Sequence, residues 1–173
     1  MTKLNWTNDL HKLYDKALKK YKDGDRELGN YFDSDEIGFL NSIGLKPINV
    51  YDGVEDGHKH GEPDWETWLL TMAARRDYFL YEMHGQLASY ERTNEELPPK
   101  TEEYEGVVWF PRILEKAKCF LEGGLAQEIM YGCGGDRKFF KEHDIHPADF
   151  LRAVWGAKAD REKVFQFVKS TGK

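Results

Sequence analysis

Apolar residues recur along the chain at three- and four-residue intervals, the period of an α-helix with one buried face. Leu10, Leu13, Tyr14, Ala17, Leu18 and Tyr21 set the first helix, with Thr7 or Asn8 as its cap and Gly24 as its stop. Ile37, Leu40 and Ile43 set a second, opened by Asp33 or Ser34 and ended by Gly44; Asp33 and Glu36 stand at capping-box spacing. Pro47 opens a third, short piece with Ile48, Tyr51 and Val54, closed by Gly57. A loop, His58-Lys59-His60-Gly61-Glu62-Pro63, then leads into the longest helix, expected over residues 64–84 and ended by Gly85. Its apolar positions (Trp65, Trp68, Leu69, Met72, Ala73, Phe79, Leu80, Met83) form a wide stripe, so it is expected at the centre.

Residues 86–105 are polar and acidic and are interrupted by Pro98-Pro99, the composition of a linker. Beyond them the helical period resumes. Pro111 suits a first helical turn and is followed by Ile113, Leu114, Ala117 and Leu121. Later helices are expected near Asp136, from Pro147, and after Asp160. The only β-like run is Val107-Val108-Trp109-Phe110, cut short by Pro111, and no internal repeat stands out. The expected fold is all-α, with seven to nine helices in two halves around the long central helix. The halves are residues 1–85 and 106–173, with 86–105 between them.

Composition narrows the function classes. The 173 residues carry 40% hydrophobic and 14% aromatic side chains, enough for one substantial core. A net charge of −6 disfavours nucleic acid and anionic membranes. No run approaches the ~20 apolar residues of a membrane span. The opening residues Met1 to Trp6 lack the apolar core of a signal peptide. Cys119 and Cys133 are the only cysteines, too few for a disulfide framework. The expectation is a cytoplasmic protein with reduced thiols.

Chemistry concentrates at Tyr131-Gly132-Cys133-Gly134-Gly135-Asp136-Arg137, where a thiol, a carboxylate and a guanidinium sit among three glycines. A helix starting there would aim free N–H groups at the turn and favour an anion, and Arg137 would add bidentate recognition. Cys133 is the candidate nucleophile. The plainer reading is an interhelical turn with a small Cys, a cap at Asp136 and a solvated Arg137. A second group is Arg75-Arg76-Asp77-Tyr78. Arg76 falls on the apolar stripe, where a charge needs an acid or an anionic ligand as partner. Tyr78, His58 and His143 are candidate proton carriers. His58 and His60, with Glu62 or Asp64, are the alternative of a metal site, although two histidines alone do not make one. No cofactor is implied.

Three segments carry a family resemblance: Val108 to Ala117, Tyr131 to Phe140, and Ile145 to Leu151. Together, over about residues 105–169, they resemble the bacterial family of uncharacterised domains labelled DUF5069. Members of that family read Cys-Pro-Leu-Asp at the turn, where this chain has Cys133-Gly134-Gly135-Asp136. The resemblance implies a small bacterial helical domain and carries no activity. The expected function is therefore an enzyme or binder for a small anionic metabolite, in a pocket between the halves. Arg75, Arg76, Arg137 and Asp136 would bind; Cys133, Tyr78, His58 and His143 would do the chemistry. The alternatives are a self-associating interaction module, which would be a homo-oligomer, and a metal protein using loop histidines.

Overall fold

The computed structural model describes residues 3–172. Eight α-helices and one two-stranded hairpin follow in order: α1 Trp6–Lys22, α2 Ser34–Ser42, α3 Pro47–His60, α4 Trp65–Tyr81, β1 Glu103–Tyr104, β2 Val107–Val108, α5 Phe110–Glu122, α6 Gly134–Glu142, α7 Pro147–Gly156 and α8 Arg161–Thr171. The fold is all-α, as the helical period predicts.

The local signals act as expected at most boundaries. Asp33 and Glu36 form the capping box of α2. Asp64 and Asp160 cap α4 and α8 by accepting the N–H of Thr67 and Lys163. Prolines open α3, α5 and α7. Three local expectations need correction. Gly57 does not end α3: the helix runs on to His60 and is closed by Gly61 at φ 72°. The expected histidine loop is thus the last turn of a helix. α1 starts earlier than Thr7 or Asn8, with Asn5 before its first residue. α4 ends at Tyr81, short of His84.

Residues 86–105 are stitched to the second half. The Ala88 N–H donates to the Glu122 carbonyl, that of Arg92 to the Gly124 carbonyl, and that of Ala126 to the Arg92 carbonyl. Leu97 is buried in the common core. Arg112, itself buried, donates to the Pro98 carbonyl and to Asn94, tying down the segment's middle.

A structural repeat, absent from the sequence reading, organises the chain at an interval of one hundred residues. α2 and α6 have nine residues each. Each is followed by a positive-φ residue, Gly44 or Asp144, then a buried aliphatic, Leu45 or Ile145, then the proline-opened helix. α1 and α5 bury matching positions: Leu10 and Phe110, Leu13 and Ile113, Tyr14 and Leu114, Ala17 and Ala117, Tyr21 and Leu121. An ion pair recurs as well, Lys16 with Glu36 and Lys116 with Asp136. Identity survives at Lys16/Lys116, Ala17/Ala117, Gly24/Gly124, Tyr31/Tyr131, Phe39/Phe139 and Pro47/Pro147. Packing therefore preserves the pattern where side-chain identity has drifted.

α4 joins the two units. Its first turns lie on its own unit, where Trp65 stacks on His11 and the Trp68 indole N–H donates to the Asn49 carbonyl at 3.2 Å. The rest of its length packs on α5 and α7 of the second unit. α8 occupies the matching place at the end of the second unit and turns Arg161, Glu162, Lys163, Gln166 and Lys169 outward.

Candidate functional site

A cavity of about 670 Å³ opens where the two units meet. One wall is α3, the residues that join it to α4, and α4 itself: Asn49, Asp52, Glu62, Asp64, Thr67, Trp68, Thr71 and Met72. The other is the turn before α6, with α6 and the start of α7, including Tyr131, Gly132, Arg137, Phe140, Lys141, Asp144 and His146. Trp68, Met72, Phe120, Ile129 and Phe140 make its apolar floor. Size and lining suit a small organic molecule.

Five carboxylates line the cavity (Asp52, Glu62, Asp64, Asp144 and Asp149) against two cations, Arg137 and Lys141. Both cations are already occupied. Arg137 Nη1 lies 2.5 Å from Asp56 and donates to the Gly132 carbonyl at 2.9 Å, with Glu62 3.6 Å from its Nε. Lys141 holds both oxygens of Glu62, at 2.7 and 2.8 Å, and that contact draws the Glu62 carboxyl below its usual range. Asp64 is held low by the Thr67 N–H that it caps.

Asp52 is different. It has no hydrogen bond or ion pair among the described residues, and it faces the cavity. Burial, with Asp56 and Glu55 nearby, pushes its carboxyl up to about 7. A carboxyl poised near neutrality in a cleft makes Asp52 a candidate site residue. The sequence reading missed it. The available signal was Asp52, Glu55 and Asp56, three acids at i, i+3 and i+4 on one helix face.

The glycine-rich turn is built from beneath by a second residue the sequence reading missed, Lys116. Lys116 and Asp136 are both buried and form an ion pair. Asp136 also accepts the Gly132 N–H and the Trp109 indole N–H, each at 2.9 Å. Its carboxylate is thus satisfied by protein and unavailable to a ligand. The position before α6 belongs to Cys133, with no side-chain cap bond, and Asp136 sits three residues in. That is the place Glu36 takes in the first unit, where it receives the Asp33 N–H at 2.9 Å. Lys116 Nζ lies 3.3 Å from Cys133 Sγ. The thiol is half-buried and lies beside the cavity wall at Gly132, not in its lining.

Of the residues expected to bind an anion or act on it, only Arg137 lines the cavity; Glu62 and Asp64, expected beside the histidines, line it too. Arg76 pairs with Asp77 at 3.3 Å and lies over the Trp6 ring. On α4 the buried arginine is its neighbour Arg75, because the helix turns position 75 inward between the two units. Tyr78 packs edge-on to Trp155, with burial raising its hydroxyl. His58 is exposed beside Tyr21, and His143 lies on Phe139 at the end of α6. His58 and His60 are two positions apart on a helix and point to different sides. Among the described residues no group of three or more His, Cys, Asp or Glu side chains is placed to hold a metal ion. No helix of the described residues is long and apolar enough to cross a membrane.

The chain matches no protein-family model, no curated protein and no solved structure. Its function must be read from the site alone.

Proposed function

We propose that the protein binds a small organic cation, an amine with an apolar body, in the cavity between its two units, with Asp52 as the counter-charge. The observation that carries this reading is the unpartnered Asp52 carboxyl at about 7 in an acidic cavity floored by Trp68, Phe120 and Phe140. An ammonium beside Asp52 favours its ionised form, and the aromatic floor suits both an apolar body and a cation over a ring face. An anionic metabolite is the weaker fit, because Arg137 and Lys141 are neutralised and acids outnumber cations. A self-association surface is also weaker. The exposed large apolar residues (Leu4, Ile37, Leu70, Tyr81, Tyr90, Val108) are scattered over α2, α4, β2 and irregular segments. The likeness of residues 105–169 to DUF5069 is compatible with this reading and adds no ligand to it.

Calorimetric titration with a panel of aliphatic and aromatic amines tests the proposal. Binding at pH 7 releases protons as Asp52 ionises, so the apparent enthalpy varies with the ionisation enthalpy of the buffer. Asp52→Asn removes both the binding and the proton release. Unchanged amine affinity in Asp52→Asn would overturn the assignment.

A further inference from the structure

Asn49 stands one helical turn before Asp52 on α3, and both line the acidic cavity. Its polar atoms have divided tasks. The side-chain oxygen accepts the Lys46 N–H at 2.8 Å and a guanidinium N–H, Arg75 Nη1, at 3.0 Å. The backbone carbonyl accepts the Trp68 indole N–H at 3.2 Å. A backbone N–H and a guanidinium can only donate, so the amide atom between them must be Oδ1 and the amide nitrogen must point the other way. That nitrogen, Nδ2, carries two N–H groups and has no hydrogen-bond partner among the described residues. Unlike Arg75 Nε and Nη2, which are buried without partners, it is not sealed off, and it opens on the cavity that Asn49 lines.

The amide is held in this orientation from behind. Arg75 is 2% exposed and does not itself line the cavity. Its guanidinium lies 4.7 Å from the ring of Phe120, part of the cavity floor, and its one hydrogen bond goes to Asn49. Together Arg75 and the Lys46 N–H clamp Oδ1, so Nδ2 is already aimed when a ligand arrives. Arg137 and Lys141, the cavity's cations, are taken by Asp56 and Glu62. Nδ2 offers what they do not, an uncommitted and uncharged donor one turn from Asp52.

We propose that Asn49 determines specificity in this cavity: the amine bound there carries an uncharged acceptor oxygen, an ether or carbonyl, that takes a hydrogen bond from Asn49 Nδ2 while the ammonium pairs with Asp52. Residues three apart on a helix have Cβ atoms ~5–6 Å apart, so a nitrogen and an oxygen joined by two or three carbons reach both side chains. The proposal rests on the reading of the cavity as an amine site and adds the ligand's second polar group to it. A hydrocarbon amine of the same shape would cover Nδ2 without pairing it, and a polar group left unpaired is what separates close analogues.

Calorimetric titration of the whole protein with phenoxyethylamine and with phenylpropylamine provides the test. The two amines share length and phenyl body and differ by an ether oxygen in place of a methylene. The ratio of their dissociation constants is compared between wild type and Asn49→Asp, which keeps an oxygen for Lys46 and Arg75 and removes the donor. Taking the ratio cancels the difference in hydrophobicity between the ligands and the general pull of the added charge on an ammonium. The expected result is a ratio that moves against the ether by about three- to tenfold, the worth of one hydrogen bond. Asn49→Ala, which adds no charge, moves it the same way and keeps the test open if the first variant fails to fold. An unchanged ratio in either folded variant overturns the Asn49 assignment and leaves the amine site standing. Failure of both amines to bind the wild type overturns the two readings together.

Discussion

Substituting Asp52 by Asn should make the protein more stable, and by an amount that depends on pH. In the folded chain the Asp52 carboxyl lies at about 7, against an ordinary value of 3.8. That gap is about three pH units, each worth ~1.36 kcal/mol, for a ceiling of ~4 kcal/mol. Water reaching the open cavity raises the local dielectric and trims this to ~1–3 kcal/mol. Because the folded value is raised, the folded state holds a proton that the unfolded state has released between about pH 4 and pH 7. Folding stability therefore falls as pH rises through that window, and the loss is complete above it. Asn cannot ionise, so the variant escapes the loss. Wild type and Asp52→Asn should have similar midpoints at pH 4 and separate progressively to pH 8. For a chain of this size ~1 kcal/mol moves the midpoint by about 2–4 °C, giving a separation of ~3–10 °C. Scanning calorimetry from pH 4 to pH 8 reads this directly. Parallel pH dependences, or a less stable variant at pH 8, would refute a desolvated, unpartnered carboxyl.

The two repeated ion pairs make a second comparison. Lys116→Met strands the buried Asp136 and should cost ~3–5 kcal/mol, whereas Lys16→Met, beside the part-exposed Glu36, should cost under ~1 kcal/mol; chemical denaturation of both settles whether burial sets the difference. Gly53→Ala places a methyl against the Trp68 indole, and Gly135→Ala one against Trp109. Each should cost ~1–3 kcal/mol by overpacking, seen as a lower denaturation midpoint. Cys119 is fully buried and its thiol is raised by burial, while Cys133 is half-buried. Native labelling read by mass spectrometry should modify Cys133 well before Cys119; equal rates would mean that the core around Cys119 opens readily.

The repeat gives the cavity an architectural origin. α4 belongs by sequence to the first unit, yet much of its length packs on the second. The space beside its first turns therefore opens between units that are alike in backbone and different in side chains. Where the first unit puts Asp33 before α2, the second puts Cys133 before α6; where the first has Lys46 before its proline, the second has His146. Such divergence lets one wall of the cavity carry Asp52 and the other Arg137.

Helical period, caps and prolines suffice, from sequence alone, for the all-α class and for nearly every helix start, because an amphipathic helix needs only its own residues to declare a face and its ends. The glycine turn at 131–137 was legible for the same reason. Three things depended on what comes together from distant parts of the chain. On α4, Arg75 and not Arg76 is buried: the helix is covered from two sides, so its wide apolar stripe did not specify its rotation, and a 100° difference in phase separates the two positions. Asp136 and Arg137, expected to meet a ligand, are held instead by Lys116 and Asp56, partners 20 and 81 residues away. Asp52 looked like one more surface acid on α3. Its carboxyl becomes unusual only when the fold part-buries it in the cavity wall beside Asp56 and Glu55 without giving it a cation as partner, and the strength of a charge is decided by what faces it.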